Sequence, residues 1–218
     1  MRIFILSFLA VFTFVAMPMQ ARADYFVWQD PQTGLSLSFP DTWKVVSNNE
    51  ANDLVTVMPP SGREHASCRI RASEDRRYMI YPPRYSAAIQ RVDFSLDFWT
   101  DYLQEYTNPE IYSLQDGSGF GRGFASYATA GFESMVQGPY MARKALMLGS
   151  LYDDTAYVVE CSSHAEAFDS WKSIFLSIAG SMDFMQVDHA PMAGYYRNFT
   201  KDAPIVFRDF EGRSIASY

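Results

Sequence analysis

The chain has 218 residues, of which 48% are hydrophobic, 20% charged and 16% aromatic, with 12 Gly, 11 Pro and 2 Cys. That balance excludes a disordered, collagen-like or coiled-coil chain and a small disulfide scaffold, and the length suits one domain with a tail. A formal charge of −7 makes a nucleic acid an unsuitable general partner, because attraction to phosphates needs a basic face.

Arg2 supplies a short positive end, positions 3–17 are almost wholly apolar, and Ala21-Arg22-Ala23 forms a small-x-small site before Asp24. This is the pattern of a secretory signal peptide over residues 1–23. The apolar run of about 15 residues is short of the roughly 20 that cross a bilayer as a helix, and Pro18 disturbs its end. An uncleaved anchor is the alternative, and no cysteine follows the cleavage site to carry a lipid. Loss of Arg2 and Arg22 takes the formal charge from −7 to −9. No later segment is apolar enough to span a membrane, so a periplasmic or secreted protein is expected.

Residues 24–185 are expected to form one α+β domain. After the Pro31-Gln32-Thr33-Gly34 turn, Leu35, Leu37 and Phe39 alternate with Ser36 and Ser38, the period-2 signature of a half-buried strand. Further short strands are predicted at 43–46, 53–58 and 66–72. At 95–106 the period changes: Trp99, Tyr102, Leu103 and Tyr106 share one face of a helix that Pro109 is expected to stop. Strand-like runs follow at 110–114, 123–132, 140–151 and 155–161, with Asp116-Gly117 and Asp153-Asp154 as turns. Ser163 and Glu166 have the spacing of a capping box ahead of Phe168, Trp171, Ile174, Phe175 and Ile178, an amphipathic helix that Gly180 would end in a left-handed conformation. Residues 181–185 return as a last strand. Clustered strands with two separated main helices predict an antiparallel sheet flanked by helices, and there is no internal repeat. Residues 186–218 form a tail broken by Pro191, Gly194, Pro204 and Gly212 yet rich in aromatics, and are expected to dock on the domain or on a partner.

In an oxidising compartment, Cys68 and Cys161 most simply form one disulfide, closing a loop of 93 residues. A reactive or metal-binding thiol is the alternative, but there is no C-x-x-C and no histidine at ligand spacing.

The run Gly34-Leu35-Ser36-Leu37-Ser38-Phe39-Pro40-Asp41-Thr42-Trp43-Lys44-Val45 resembles the opening of the PsbP-like, Mog-like and DcrB-like α+β proteins. The ending, a strand, a helix with Phe168 to Ser177 and a terminal strand, is similar in style. The resemblance spans roughly 24–185 and implies an antiparallel sheet between helices, used in those relatives mainly as a non-catalytic binding or assembly module. The cysteine pair and the aromatic tail depart from that pattern, so no partner is carried over.

Catalytic motifs are sought without success. His164-Ala165-Glu166 lacks the adjacent Glu and the second His of a zinc protease helix, since those positions hold Ala165 and Phe168. His65 and His189 lie in polar or Pro-flanked stretches. The Gly-rich run 117–123 precedes strand-like residues rather than a helix N-terminus, so a hairpin loop is expected and not a phosphate cradle. No G-x-S-x-G occurs. No cofactor or metal is therefore expected.

Between Arg63 and Arg91 stand seven arginines against three acids, interleaved with tyrosines and Pro82-Pro83. Arg76, Arg77, Tyr78, Tyr81, Arg84 and Tyr85 are candidate partner-binding residues, because guanidinium forks suit carboxylates, phosphates and aromatic rings. The alternative is pairing with the chain's own acids. In the tail, Tyr195, Tyr196, Phe199, Phe207 and Phe210 are candidates for adding a strand to a partner, with docking in cis as the alternative. Asn198-Phe199-Thr200 matches a glycosylation acceptor only in a eukaryotic secretory route. The leading expectation is an exported, soluble, non-enzymatic binding or assembly factor of the bacterial cell envelope with a protein partner. An envelope hydrolase using His65 or His164, and a carrier of small apolar ligands, are the rivals.

Overall fold

The computed structural model describes residues 24–46, 50, 52–60, 62, 64–75, 85–120, 123–135, 140–152, 154–184, 206–208 and 214–217. The expected signal peptide at 1–23 lies outside them. Two strands open the domain: β1 (Tyr25–Gln29) and β2 (Leu35–Pro40), joined by a turn in which Gly34 takes a φ of 69° and Asp30 Oδ2 accepts the Thr33 amide at 2.7 Å. Next come β3 (Lys44–Val46), β4 (Asp53–Met58) and β5 (Ser67–Glu74), then helices α1 (Ser86–Asp93) and α2 (Leu96–Tyr102). A long meander follows: β6 (Thr107–Phe120), β7 (Gly123–Met135), β8 (Tyr140–Tyr152) and β9 (Thr155–His164). Helix α3 (Phe168–Gly180), β10 (Asp183–Phe184) and a ribbon of β11 (Val206–Arg208) and β12 (Ser214–Ser217) complete the described chain.

Seven strands form one antiparallel sheet in the order β3-β4-β5-β9-β8-β7-β6, and β1-β2-β10 form a second. Helix α3 packs against β9, β8 and β2, while α1 lies on β7 and β8, so helices flank the large sheet on both faces. The period of two then sorts side chains between two cores. Leu146, Leu148, Val159 and Ile70 join Phe175 and Ile178 on the α3 side; Ala145, Met147, Leu151 and Val158 join Phe94 and Trp99 on the other. Strand β2, covered on one face, alternates buried with half-buried residues, whereas β8 is buried without a break from Ala145 to Leu151. This is an α+β fold with an antiparallel sheet between helices, as expected from the strand-helix order.

Several local expectations are corrected. The helix at 95–106 ends as α2 at Tyr102 and tightens into a 3-10 turn at Leu103–Glu105. Pro109 does not stop it, because β6 has already begun at Thr107, with a bulge in which Asn108 takes a φ of 49°. A third helix, α1, was not foreseen. Asp116-Gly117 is no turn, since β6 runs through it to Phe120. The Ser163/Glu166 capping box does not form: β9 extends to His164, buries Ser163, and leaves Ala167 as the helix cap. Gly180 remains helical, and Ser181 ends α3 by accepting the Ser38 amide at 2.8 Å, which ties the helix to β2.

Gly149 is where α1 and α2 meet the sheet. A Cβ built there would lie 2.3 Å from Cδ1 of the buried Phe94 ring, which also stacks edge-on with Phe98 at 4.9 Å. Gly149→Ala should therefore overpack this core and cost about 1–3 kcal/mol or more, read as a lowered urea midpoint. Shortening the ring with Phe94→Leu should make the double variant less unstable than the two single losses added together. An unchanged midpoint for Gly149→Ala would contradict this packing.

Candidate functional site

Strand alternation gives β5 two unlike faces. Cys68 and Ile70 point to the α3 core, and Arg69 and Arg71 point the other way. On β9 the same rule separates Val159 and Cys161 from Glu160 and Ser162. The antiparallel register sets Cys68 opposite Cys161 and Arg69 opposite Glu160. The expected disulfide is present, with a Cα–Cα separation of 4.0 Å and both cysteines fully buried.

Behind the disulfide lies a charged cluster. Glu160 is 5% exposed and accepts hydrogen bonds from Arg69 Nη2 at 3.1 Å, Tyr102 Oη at 2.9 Å and Tyr106 Oη at 2.9 Å. Arg69 also reaches Glu105 at 2.5 Å. Arg71 joins Asp53 at 2.9 Å, Glu50 at 2.6 Å and Glu105 at 3.0 Å, with its guanidinium 5.4 Å from the centre of the Tyr102 ring. Arg143, nearly buried on β8, donates to Ser162 Oγ at 2.8 Å and to the His65 carbonyl at 2.9 Å. Tyr102 comes from α2, Glu105 from the 3-10 turn and Tyr106 from the residue just after it, so this cluster fastens the helical layer to the sheet.

Burial opposes charge on Arg69, but Glu160 and the neighbouring acid and phenols reverse that effect and hold the guanidinium firmly protonated. Burial, followed by the charge of Glu160, pushes the Tyr102 and Tyr106 phenols up. Burial would raise Glu105, yet Arg69 and Arg71 together hold its carboxyl below the usual range. On the α3 side, burial pushes Tyr127 up to about 12 and also raises Tyr157.

Stability should therefore depend on pH at both ends. Glu105 has a depressed folded value, so its contribution is present above the ordinary carboxylate pKa of 4.5 and is lost as pH falls below it. The phenols have raised folded values, so theirs is complete below the ordinary phenol pKa of 10 and is lost as pH rises above it, for Tyr127 as pH climbs through about 12. A melting temperature flat between these limits and falling outside them is expected in a thermal-unfolding series; a rise on acidification below 4.5 would contradict the assignment of Glu105.

The arginine-rich stretch divides. Arg69 and Arg71 are spent on the internal cluster, and Arg91 pairs with Asp116 at 2.9 Å. Arg76, Arg77, Tyr78, Tyr81 and Arg84 lie outside the described residues, while Tyr85, at the start of α1, is 46% exposed. Tyr195, Tyr196, Phe199 and Phe210 also lie outside them; Phe207 falls in β11. Glu160, Tyr102 and Tyr106 were missed as a group, although a lone acid in the apolar run 156–161 was the available signal.

His164 borders an open depression of about 440 Å³ lined by Glu64, Met141, Glu166, Ala167 and Ser170. The Glu64 carboxylate there accepts the Trp171 indole N–H at 2.5 Å, and the Glu64 carbonyl accepts the His164 amide at 2.7 Å. Among the described residues, no group of three acidic, histidine or cysteine side chains is placed to hold a metal. His189 lies outside them.

A different surface is conspicuous. On β1, an outer strand of the small sheet, Tyr25, Phe26 and Val27 are 56%, 51% and 64% exposed. The strand pairs only with β2 among the described residues, and its start is pinned by the Asp41 amide donating to the Asp24 carbonyl at 2.9 Å.

No protein-family model matches the chain, and no curated protein matches it. Solved structures do. The chain is similar to cyanobacterial PsbP (CyanoP) from Synechocystis sp. PCC 6803, with 16% identity and a TM-score of 0.48 over 78% of this chain and 98% of that one. It is similar to LpqN, involved in cell envelope biogenesis of Mycobacterium tuberculosis, at 12% identity and a TM-score of 0.44 over 75% and 91%. It is also similar to the Saccharomyces cerevisiae Ran-binding protein Mog1p, at 8% identity and a TM-score of 0.45 over 74% and 96%. PsbP-like and Mog-like structures are thus among its fold neighbours, the groups that the opening at 34–45 resembles.

Proposed function

We propose that the protein is exported to the bacterial cell envelope and serves there as a non-enzymatic binding or assembly factor, with β1 as its principal contact surface. The exposed apolar strand carries this reading. Three consecutive large apolar residues on an outer strand are an aggregation liability unless something covers them, and such patches mark interaction sites. Cleavage after Ala23 would leave Asp24 as the first residue, so β1 would form the extreme N-terminus of the mature chain. The buried disulfide supports an oxidising destination. The candidate residues at 76–85 and in the tail are proposed as further partner-binding residues.

The test places a photo-crosslinking amino acid at Phe26 or Val27 of the exported chain, with the exposed Asp169 on α3 as control. Irradiation of whole cells should give a discrete adduct from the β1 positions and none from Asp169. Equal, diffuse labelling from all three positions would contradict the proposal.

A further inference from the structure

The backbone of β1 fixes which of its groups are open. The Asp41 amide donates to the Asp24 carbonyl at 2.9 Å and the Asp30 amide to the Leu35 carbonyl at 2.8 Å, so even-numbered residues turn their backbone groups toward β2. Ser38, opposite Val27, engages Ser181 Oγ instead, through its amide at 2.8 Å and its carbonyl at 3.0 Å. Tyr25, Val27 and Gln29 therefore aim their amides and carbonyls at the outer edge of the small sheet, where no strand pairs with them among the described residues. Side chains follow the same period. Phe26 and Trp28 stand opposite Phe39 and Leu37 on the core face: Phe26 meets the Phe39 ring at 5.4 Å yet stays 51% exposed, and Trp28 is half-buried. The core ends at β1 in an uncovered aromatic margin.

We propose that this edge pairs antiparallel with β1 of a second copy, about a two-fold axis through Val27. The inference rests on β1 as the contact surface and names its occupant. Of the antiparallel registers of Tyr25–Gln29 with itself, this one pairs every outward residue: Val27 exchanges hydrogen bonds with its own counterpart, and Tyr25 with Gln29. It also sets Phe26 against Trp28 of the other copy at non-hydrogen-bonded positions, where Cβ atoms approach to about 4.5–5.5 Å, so aromatic pairs close the margin of both cores. No residue of the strand carries a charge to oppose this. Just beyond it Asp24 falls opposite Asp30, and removal of the leader would place a positive α-amino group on Asp24 that offsets the repulsion between the two acids. A strand pair of five residues is a small interface, so a micromolar dimer is expected.

Sedimentation of the exported chain at about 100 μM should show that dimer. Val27→Pro removes an amide that faces away from β2, so the dilute protein should keep its melting temperature while the dissociation constant rises at least about tenfold. Cysteine placement reads the register. Val27→Cys should oxidise to a covalent dimer, because opposed Cα atoms about 5.5 Å apart suit a disulfide, whereas Tyr25→Cys, about 13 Å from its own counterpart, should not. A monomer at that concentration, a dimer unaffected by Val27→Pro, or equal cross-linking from both cysteines would overturn the proposal. A monomer that still gives a discrete photo-adduct with another protein from Phe26 or Val27 would reject the second copy and keep β1 as the contact; a monomer without such an adduct would reject both.

Discussion

Replacing Cys68 and Cys161 together by alanine should destabilise the domain by on the order of 4–5 kcal/mol, the figure that chain entropy gives for releasing a 93-residue loop. A whole domain is typically stable by only about 5–15 kcal/mol, so the variant should be partly unfolded near physiological temperature. The bond joins the two strands that carry both the α3 core and the charged cluster, so its loss loosens the centre of the large sheet rather than a margin. Urea unfolding followed by tryptophan fluorescence reads the effect. Because both cysteines are fully buried, reductant should act on the native protein only at the rate of opening. Equal unfolding midpoints for the wild type and the double variant would refute the staple.

Glu160→Ala should be the most damaging single substitution outside the disulfide, at about 3–5 kcal/mol. Removing this carboxylate leaves the Tyr102 and Tyr106 hydroxyls without their acceptor and Arg69 with only the part-exposed Glu105 for a counter-ion. Glu160→Gln keeps an acceptor and should cost less, about 1–3 kcal/mol. Replacing the pair together, as Arg69→Met/Glu160→Leu, should recover much of the loss, because a buried ion pair exchanged for apolar groups of similar size removes the desolvation penalty along with the attraction. By contrast, Glu50→Ala, whose carboxylate is 61% exposed, should change stability by about 0–1 kcal/mol. A Glu160→Ala protein as stable as the Glu50→Ala protein would show that the cluster fastens nothing.

Strands with one covered face were legible because burial imprints alternation on the sequence: β2 and β4 lie where Leu35-Ser36-Leu37 and the 53–58 run place them. The apolar face of α3 was legible for the same reason at helical period. Its start was not, because Ser163 and Glu166 have capping-box spacing whether or not the preceding strand has ended, and β9 runs on to His164. β1 escaped notice because only Trp28 of its five residues is part-buried, which leaves no alternation to detect, although the exposure of Tyr25, Phe26 and Val27 is what makes it the candidate contact.

The charged cluster shows what is lost without register. Nothing local links Arg69 to Glu160 across 91 positions. Yet in an antiparallel ladder a bond between Cys68 and Cys161 forces their neighbours, Arg69 and Glu160, to face one another on the opposite side of the sheet. The disulfide was anticipated from the cysteine count, and the ion pair could have followed from it. The three described arginines between 63 and 91 are all paired with acids, two of them within that cluster, whereas the candidates Arg76, Arg77, Tyr78, Tyr81 and Arg84 lie outside the described residues.

The proposed export of a disulfide-stapled domain is put to the test by intact-mass analysis of the protein recovered from the cell envelope fraction without reductant. The recovered chain should begin at Asp24 and weigh two hydrogens less than its reduced form. A chain recovered in the cytosol with residues 1–23 attached and both thiols free would contradict it.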